Sequence, residues 1–172
     1  MRAFAAALAL LVGIAPAIAG SAPNSETSAE HPEASRFDES RTARVDVALA
    51  LGRAALTRKR VILVMGANWC HDSRGLAGWF ETPRFAEMLG RRYEIVFVDV
   101  GHPQDGDGRN LDIAQQFGVA EIAGTPTVLI LSPEGTLLNA ETARGWNNAA
   151  SRPEDEIFDY FANFEPETVP QL

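Results

Sequence analysis

At 172 residues, 46% hydrophobic and 22% charged, the chain is long enough to bury one substantial core and has an ordinary globular composition, which predicts one folded domain. Its 15 basic against 23 acidic side chains leave a net charge of −8, which argues against nucleic acid, whose phosphates need a basic face, and against acidic partners. There is one cysteine, Cys70, so no intramolecular disulfide can form.

Residues 1–19 have the layout of a secretory signal. Arg2 supplies the cationic start, Ala3 to Ile14 the apolar stretch, and Ala17-Ile18-Ala19 a small-x-small cleavage site after Pro16. Cleavage before Gly20 and a periplasmic or secreted mature protein are expected. An uncleaved anchor is the alternative, weakened by Gly13, Pro16 and an alanine-rich core. Residues 20–36 are small, polar and proline-interrupted, and read as a flexible leader in which His31 is solvated. A domain over 37–165 and a proline-punctuated tail over 166–172 complete the organisation.

Asp38 is expected to cap a helix running to about Arg58, with Val45, Leu49, Leu56 and the small residues Ala48, Gly52 and Ala55 making one face and Thr57-Arg58-Lys59-Arg60 as a charged end. The apolar run Val61 to Met65, closed by Gly66, reads as a central strand covered on both faces. A loop then leads to a helix from about Cys70 to Phe80. Thr82-Pro83 restarts the helix, and Trp79, Phe80, Phe85 and Met88 are read as core. Glu94 to Val100 is a second buried strand. The loop 104–110 has the oxygen ligands of a calcium site in Asp105, Asp107 and Asn110, but Arg109 breaks the ligand ladder and no glutamate follows at the right distance, so a solvated turn is expected. Asn110 to Phe117 is a short helix ended by Gly118. Strands Thr127 to Leu131 and Thr136 to Leu138 form a hairpin, Trp146 is tucked against the domain, and Ser151 with Glu154 makes a capping box for a last helix.

Chemistry concentrates at Trp69-Cys70-His71-Asp72-Ser73. A thiol at the start of a helix meets unpaired backbone N–H groups and the positive end of the helix dipole, a placement that favours the nucleophilic thiolate. In an oxidising compartment a leftover cysteine is reactive, paired with another chain, or incidental, and a loop-to-helix position after Trp69 makes the incidental reading the weakest.

This segment resembles the Trp-Cys-x-x-Cys site of thioredoxin-like proteins. Phe117-Gly118-Val119 resembles that fold's helix-to-loop junction, and Gly124-Thr125-Pro126-Thr127 its cis-proline loop; the likeness runs over roughly residues 40 to 165. It implies an α/β thioredoxin-like fold, with a central mixed sheet flanked by helices and the cis-proline loop beside the active-site helix. It also implies Cys70 as the attacking thiol, with Trp69, His71, Asp72, Thr125 and Pro126 around the substrate. Two departures stand out. Ser73 replaces the resolving cysteine and cannot form a disulfide, though its hydroxyl can hydrogen-bond a Cys70 thiolate; Val64 stands where the family usually carries a buried acid. His71 would stabilise the thiolate and Asp72 oppose it, and which of them points inward stays open. The expectation is an exported monothiol exchange protein, acting on protein or small-molecule thiols and disulfides and resolved by an external thiol, with no cofactor or metal. A redox-inactive binding module and a sulfenic-acid sensor are the alternatives.

Overall fold

The strand that carries the chain into the site is β1, Arg60–Gly66, and its five residues Val61 to Met65 alternate between two cores. In the computed structural model, which describes residues 31–165, Ile62 and Val64 face one aromatic-rich cluster, while Val61, Leu63 and Met65 face an aliphatic one. A strand buried on both faces is apolar at every position, which is why this run has no polar residue. β1 lies in the middle of a three-stranded mixed sheet, parallel to β2 (Tyr93–Asp99) and antiparallel to β5 (Thr127–Leu131).

α1 (Ala43–Thr57) and α4 (Leu111–Gln116) cover the aliphatic side, and α2 (His71–Glu81), α3 (Pro83–Arg92) and α5 (Glu154–Ala162) the aromatic side. α2 and α3 are one helical path broken at Thr82, which has extended backbone with Pro83 as the first residue of α3. Trp79, Phe80, Phe85 and Met88 all belong to the aromatic cluster.

Several expectations are corrected. α1 starts at Ala43 with Thr42 before it; Asp38 instead accepts from Ser40 N and Oγ in a local turn, at 2.9 and 2.7 Å. The helix ends at Thr57, with Arg58 in the left-handed region, so the cations lie past its last turn. Its buried face is Ala43, Val47, Ala50 and Ala54, and Val45, Leu49 and Leu56 point to solvent at 52%, 56% and 87% exposure. The capping box does not form, because Pro153 occupies the position before α5 and Ser151 Oγ donates to Asn148 O.

The second strand of the expected hairpin shrinks to one bridge, Leu131 to Leu137. Asn139 takes over the edge of β5: its Oδ1 accepts from Ile130 N at 2.8 Å and its Nδ2 donates to Val128 O at 2.9 Å. A side-chain amide thus satisfies backbone groups that a strand would otherwise pair. The loop after β2 is more structured than expected, with β3 (Gly101–His102) and β4 (Asp107–Gly108) pairing around a 3-10 turn at Pro103–Asp105.

Residues 31–36, expected within a flexible leader, lie along α2. Ala34 N donates to Arg74 O at 3.1 Å, and His31, expected in solvent, accepts from Trp79 Nε1 at 3.0 Å. Gly78 permits this approach, since a Cβ there would meet Pro32 O at 2.0 Å. The signal segment, the rest of the leader and the tail over 166–172 lie outside the described residues. Among the described residues, no helix is long and apolar enough to cross a membrane.

Candidate functional site

Cys70 sits where β1 has just ended and α2 begins. The turn closes by Cys70 N donating to Ala67 O, and Cys70 itself is the extended residue capping α2, with φ −82° and ψ 120°. Gly66 makes the turn possible by absence: a Cβ on it would lie 2.6 Å from Ser73 Oγ and 2.8 Å from the Phe37 ring. Asn68 ties the same turn to the segment before α1, accepting from Phe37 N and donating to Phe37 O.

Across from the thiol, the Thr125–Pro126 peptide is cis. Cys70 Sγ donates to Thr125 O at 3.2 Å, so the loop expected beside the active-site helix touches the sulfur directly. Thr127 Oγ1 braces that loop by donating to Gly124 O. The thiol is largely enclosed, at 9% exposure.

The neighbours of Cys70 divide by role. Trp69 is 48% exposed; its Nε1 donates to Gly101 O at 2.9 Å and its ring stacks on His102, with centroids 4.8 Å apart and planes 9° from parallel. His71 turns away from the sulfur, with Nδ1 2.6 Å from Glu33 Oε1. Asp72 is used structurally, Oδ1 accepting from Ala150 N at 2.8 Å. The opposing influences expected of His71 and Asp72 are therefore both directed at other partners. Ser73 is fully buried and its hydroxyl has no hydrogen-bond partner, so the expected hydrogen bond to Cys70 is not made.

Four residues at the site escaped sequence reasoning: Glu33, Asn68, Asp99 and His102. Glu33 joins His71 and Arg74, and the hydrogen bond from Arg74, reinforced by His71, holds its carboxyl below the usual range. Asp99, 5% exposed at the end of β2, accepts from Gly101 N at 3.0 Å and lies 3.4 Å from Arg109 Nε. Burial pushes its carboxyl above the ordinary value, against the opposing pull of Gly101 N and Arg109. For Asn68, Asp99 and His102 the only signal was position, at the ends of strands or in the loop before α2, where function concentrates; Glu33, in the segment well before α1, gave none. Among the described residues, no three His, Cys, Asp or Glu side chains are grouped to hold a metal ion.

A mixed sheet whose central strand delivers a helix-capping cysteine to a cis-proline loop defines the thioredoxin-like class. The family model described as thioredoxin-like matches residues 42–133, and the chain belongs to that family. A disulphide isomerase from Xylella fastidiosa Temecula1, solved by crystallography, is similar at 30% sequence identity and a TM-score of 0.68, over 76% of this chain and 96% of that one. No curated protein matches the sequence.

Proposed function

We propose that this protein carries out thiol–disulfide exchange through Cys70 alone, as an exported monothiol member of its family whose mixed disulfide is resolved by an external thiol. The observation that carries the reading is the 3.2 Å contact between Cys70 Sγ and the Thr125 carbonyl, which holds the only sulfur of the helix cap against the loop along which a substrate backbone would lie. The likeness to a disulphide isomerase supports exchange as the reaction class. Export rests on the sequence of residues 1–19.

In the step proposed, the Cys70 thiolate attacks one sulfur of a substrate disulfide. A bond forms between that sulfur and Sγ, the substrate S–S bond breaks, and the second substrate sulfur leaves as a thiolate that takes a proton from water. Another thiol then attacks the mixed disulfide and releases Cys70. Ser73 forms no bond in either step, and its buried hydroxyl serves as the small group that fits beneath Gly66.

The test is trapping. The full chain, reduced and exposed to disulfides in its native compartment, is expected to yield disulfide-linked adducts that dithiothreitol dissolves and that Cys70→Ala does not form. Absence of adducts from the parent chain would move the redox-inactive binding module ahead, a reading favoured by the low exposure of the thiol.

A further inference from the structure

β2 is an edge strand. Among the described residues it pairs with β1 on one side alone, and along Tyr93–Asp99 it carries charge only at Glu94 and Asp99. Such an edge is a template for another strand unless something covers it. Val100 N donates to Gly66 O at 2.9 Å, in register with the pairing of β1 and β2, and this fixes the phase of the ladder. The main-chain groups of Glu94, Val96 and Val98 face β1, and those of Tyr93, Ile95, Phe97 and Asp99 face outward. Two of the outward groups are closed within the chain: Tyr93 N donates to Leu89 O, and Asp99 O accepts from Asn110 Nδ2 at 2.8 Å. Tyr93 O, both groups of Ile95 and Phe97, and Asp99 N have no partner among the described residues. Beside them lies open space, a cavity of about 470 Å³ walled by Arg36, Arg41, Leu49 and Arg53 and floored by Ile95 and Phe97.

The open groups complement themselves. Under a twofold axis through Val96, Tyr93 O meets Asp99 N of a second copy, Ile95 O meets Phe97 N, and Phe97 O meets Ile95 N. The two closed groups, Tyr93 N and Asp99 O, fall opposite each other, where neither lacks a partner. Side chains agree with the same axis. Ile95 comes opposite Phe97, Val96 opposite Val96, and Glu94 opposite Val98, so no like charges are opposed. The charges around this edge are also matched: Arg36 pairs with Glu81, Arg41 with Asp46 and Arg53 with Glu94. Two chains of net charge −8 can therefore approach by this face.

We infer that the chain forms a twofold dimer in which β2 pairs antiparallel with β2 of a second copy about Val96, joining the two sheets into one. The inference is independent of the exchange reading.

The first measurement is amide exchange on the full chain, read residue by residue at two concentrations. The monomer fraction of a dimer varies as the inverse square root of concentration, so about a hundred-fold dilution should speed exchange at Ile95, Phe97 and Asp99 about ten-fold. The amides of Glu94, Val96 and Val98, bonded to β1 in the monomer, should stay slower than these at both concentrations. Outward amides that exchange fast at both concentrations overturn the dimer, because the edge is then bare. Slow exchange that dilution leaves unchanged also overturns it, because the cover then belongs to the same chain.

The second measurement locates the axis by oxidative cross-linking in a Cys70→Ala background. Residues facing each other across the axis at Val96 lie roughly 4.5 Å apart at Cα, within disulfide reach, whereas the two copies of Ile95 lie beyond the limit of about 7 Å. Val96→Cys should therefore cross-link into dimers at least about ten-fold faster than Ile95→Cys. Cross-linking at 95 that equals that at 96, or none at 96 while dilution releases the edge, overturns pairing about Val96.

Discussion

Asp99 is a carboxylate held in an environment that disfavours its charge. It is nearly buried, with one backbone donor at 3.0 Å and a guanidinium nitrogen at 3.4 Å that does not fully compensate the lost water. Because its folded-state pKa is raised, the folded chain holds this proton more tightly than the unfolded chain does. Stability from the group is therefore greatest when it is protonated and falls as pH rises from about 3.9 through the folded value. Asp99→Asn keeps an oxygen for Gly101 N and removes the titration. Its urea midpoint should lack the part of the parent's decline that sets in as pH rises above the ordinary carboxylate range. Parallel curves for parent and variant would show that the burial cost is met elsewhere.

At the scale of elements, α1 carries two stripes with the same spacing. Ala43, Val47, Ala50 and Ala54 recur at three and four residues, and so do Val45, Leu49, Gly52 and Leu56, displaced by two positions and hence onto nearly the opposite side of the helix. The small stripe faces the sheet because it lets the helix backbone approach the branched residues of β1 and β2 closely, and Leu51 fills in at the edge of that contact. Leu49→Ala and Leu56→Ala should each change unfolding free energy by no more than about 0.5 kcal/mol. Val47→Ala, removing two buried methyl groups from the sheet contact, should cost about 2 kcal/mol. Chemical denaturation of the three variants decides, and the reverse order would mean that the large stripe is covered in solution.

Across the whole molecule, the aromatic core links the C-terminal helix to the active-site helix. Trp146 is 1% exposed, stacks on Phe161 with centroids 5.1 Å apart, and meets Tyr160 edge-on at 4.8 Å. Its segment ends at Ala150, whose N–H donates to Asp72 on the first turn of α2, while Ala150 packs under Gly75. Trp146→Ala should cost about 3–5 kcal/mol in guanidinium unfolding. Because the same segment supports the Cys70 turn, amide exchange in residues 70–75 should speed up more than in β1. A uniform increase would show that Trp146 stabilises the domain without bracing the site in particular.

Local chemistry was enough to read the both-face burial of β1, the helix break at Thr82-Pro83 and the family-like placement of Cys70 and Thr125-Pro126. An unbroken apolar run, a proline and a motif act within a few residues of themselves. The occupied side of α1 was not legible, since two apolar stripes of equal period satisfy the same local rule and only the neighbouring sheet distinguishes small from large. Nor were the partners of His71 and Asp72 legible, or the burial of Ser73 beneath Gly66. Glu33 reaches His71 across 38 residues and Ala150 reaches Asp72 across 78, so those side chains were assigned by contacts that exist only after the chain has closed on itself. The Trp69–His102 stack has the same origin: the sequence by itself determined a tryptophan before the cysteine and a histidine after a strand, and the tertiary structure decided that they meet, because β1 and β2 run parallel and their ends therefore open on the same side of the sheet.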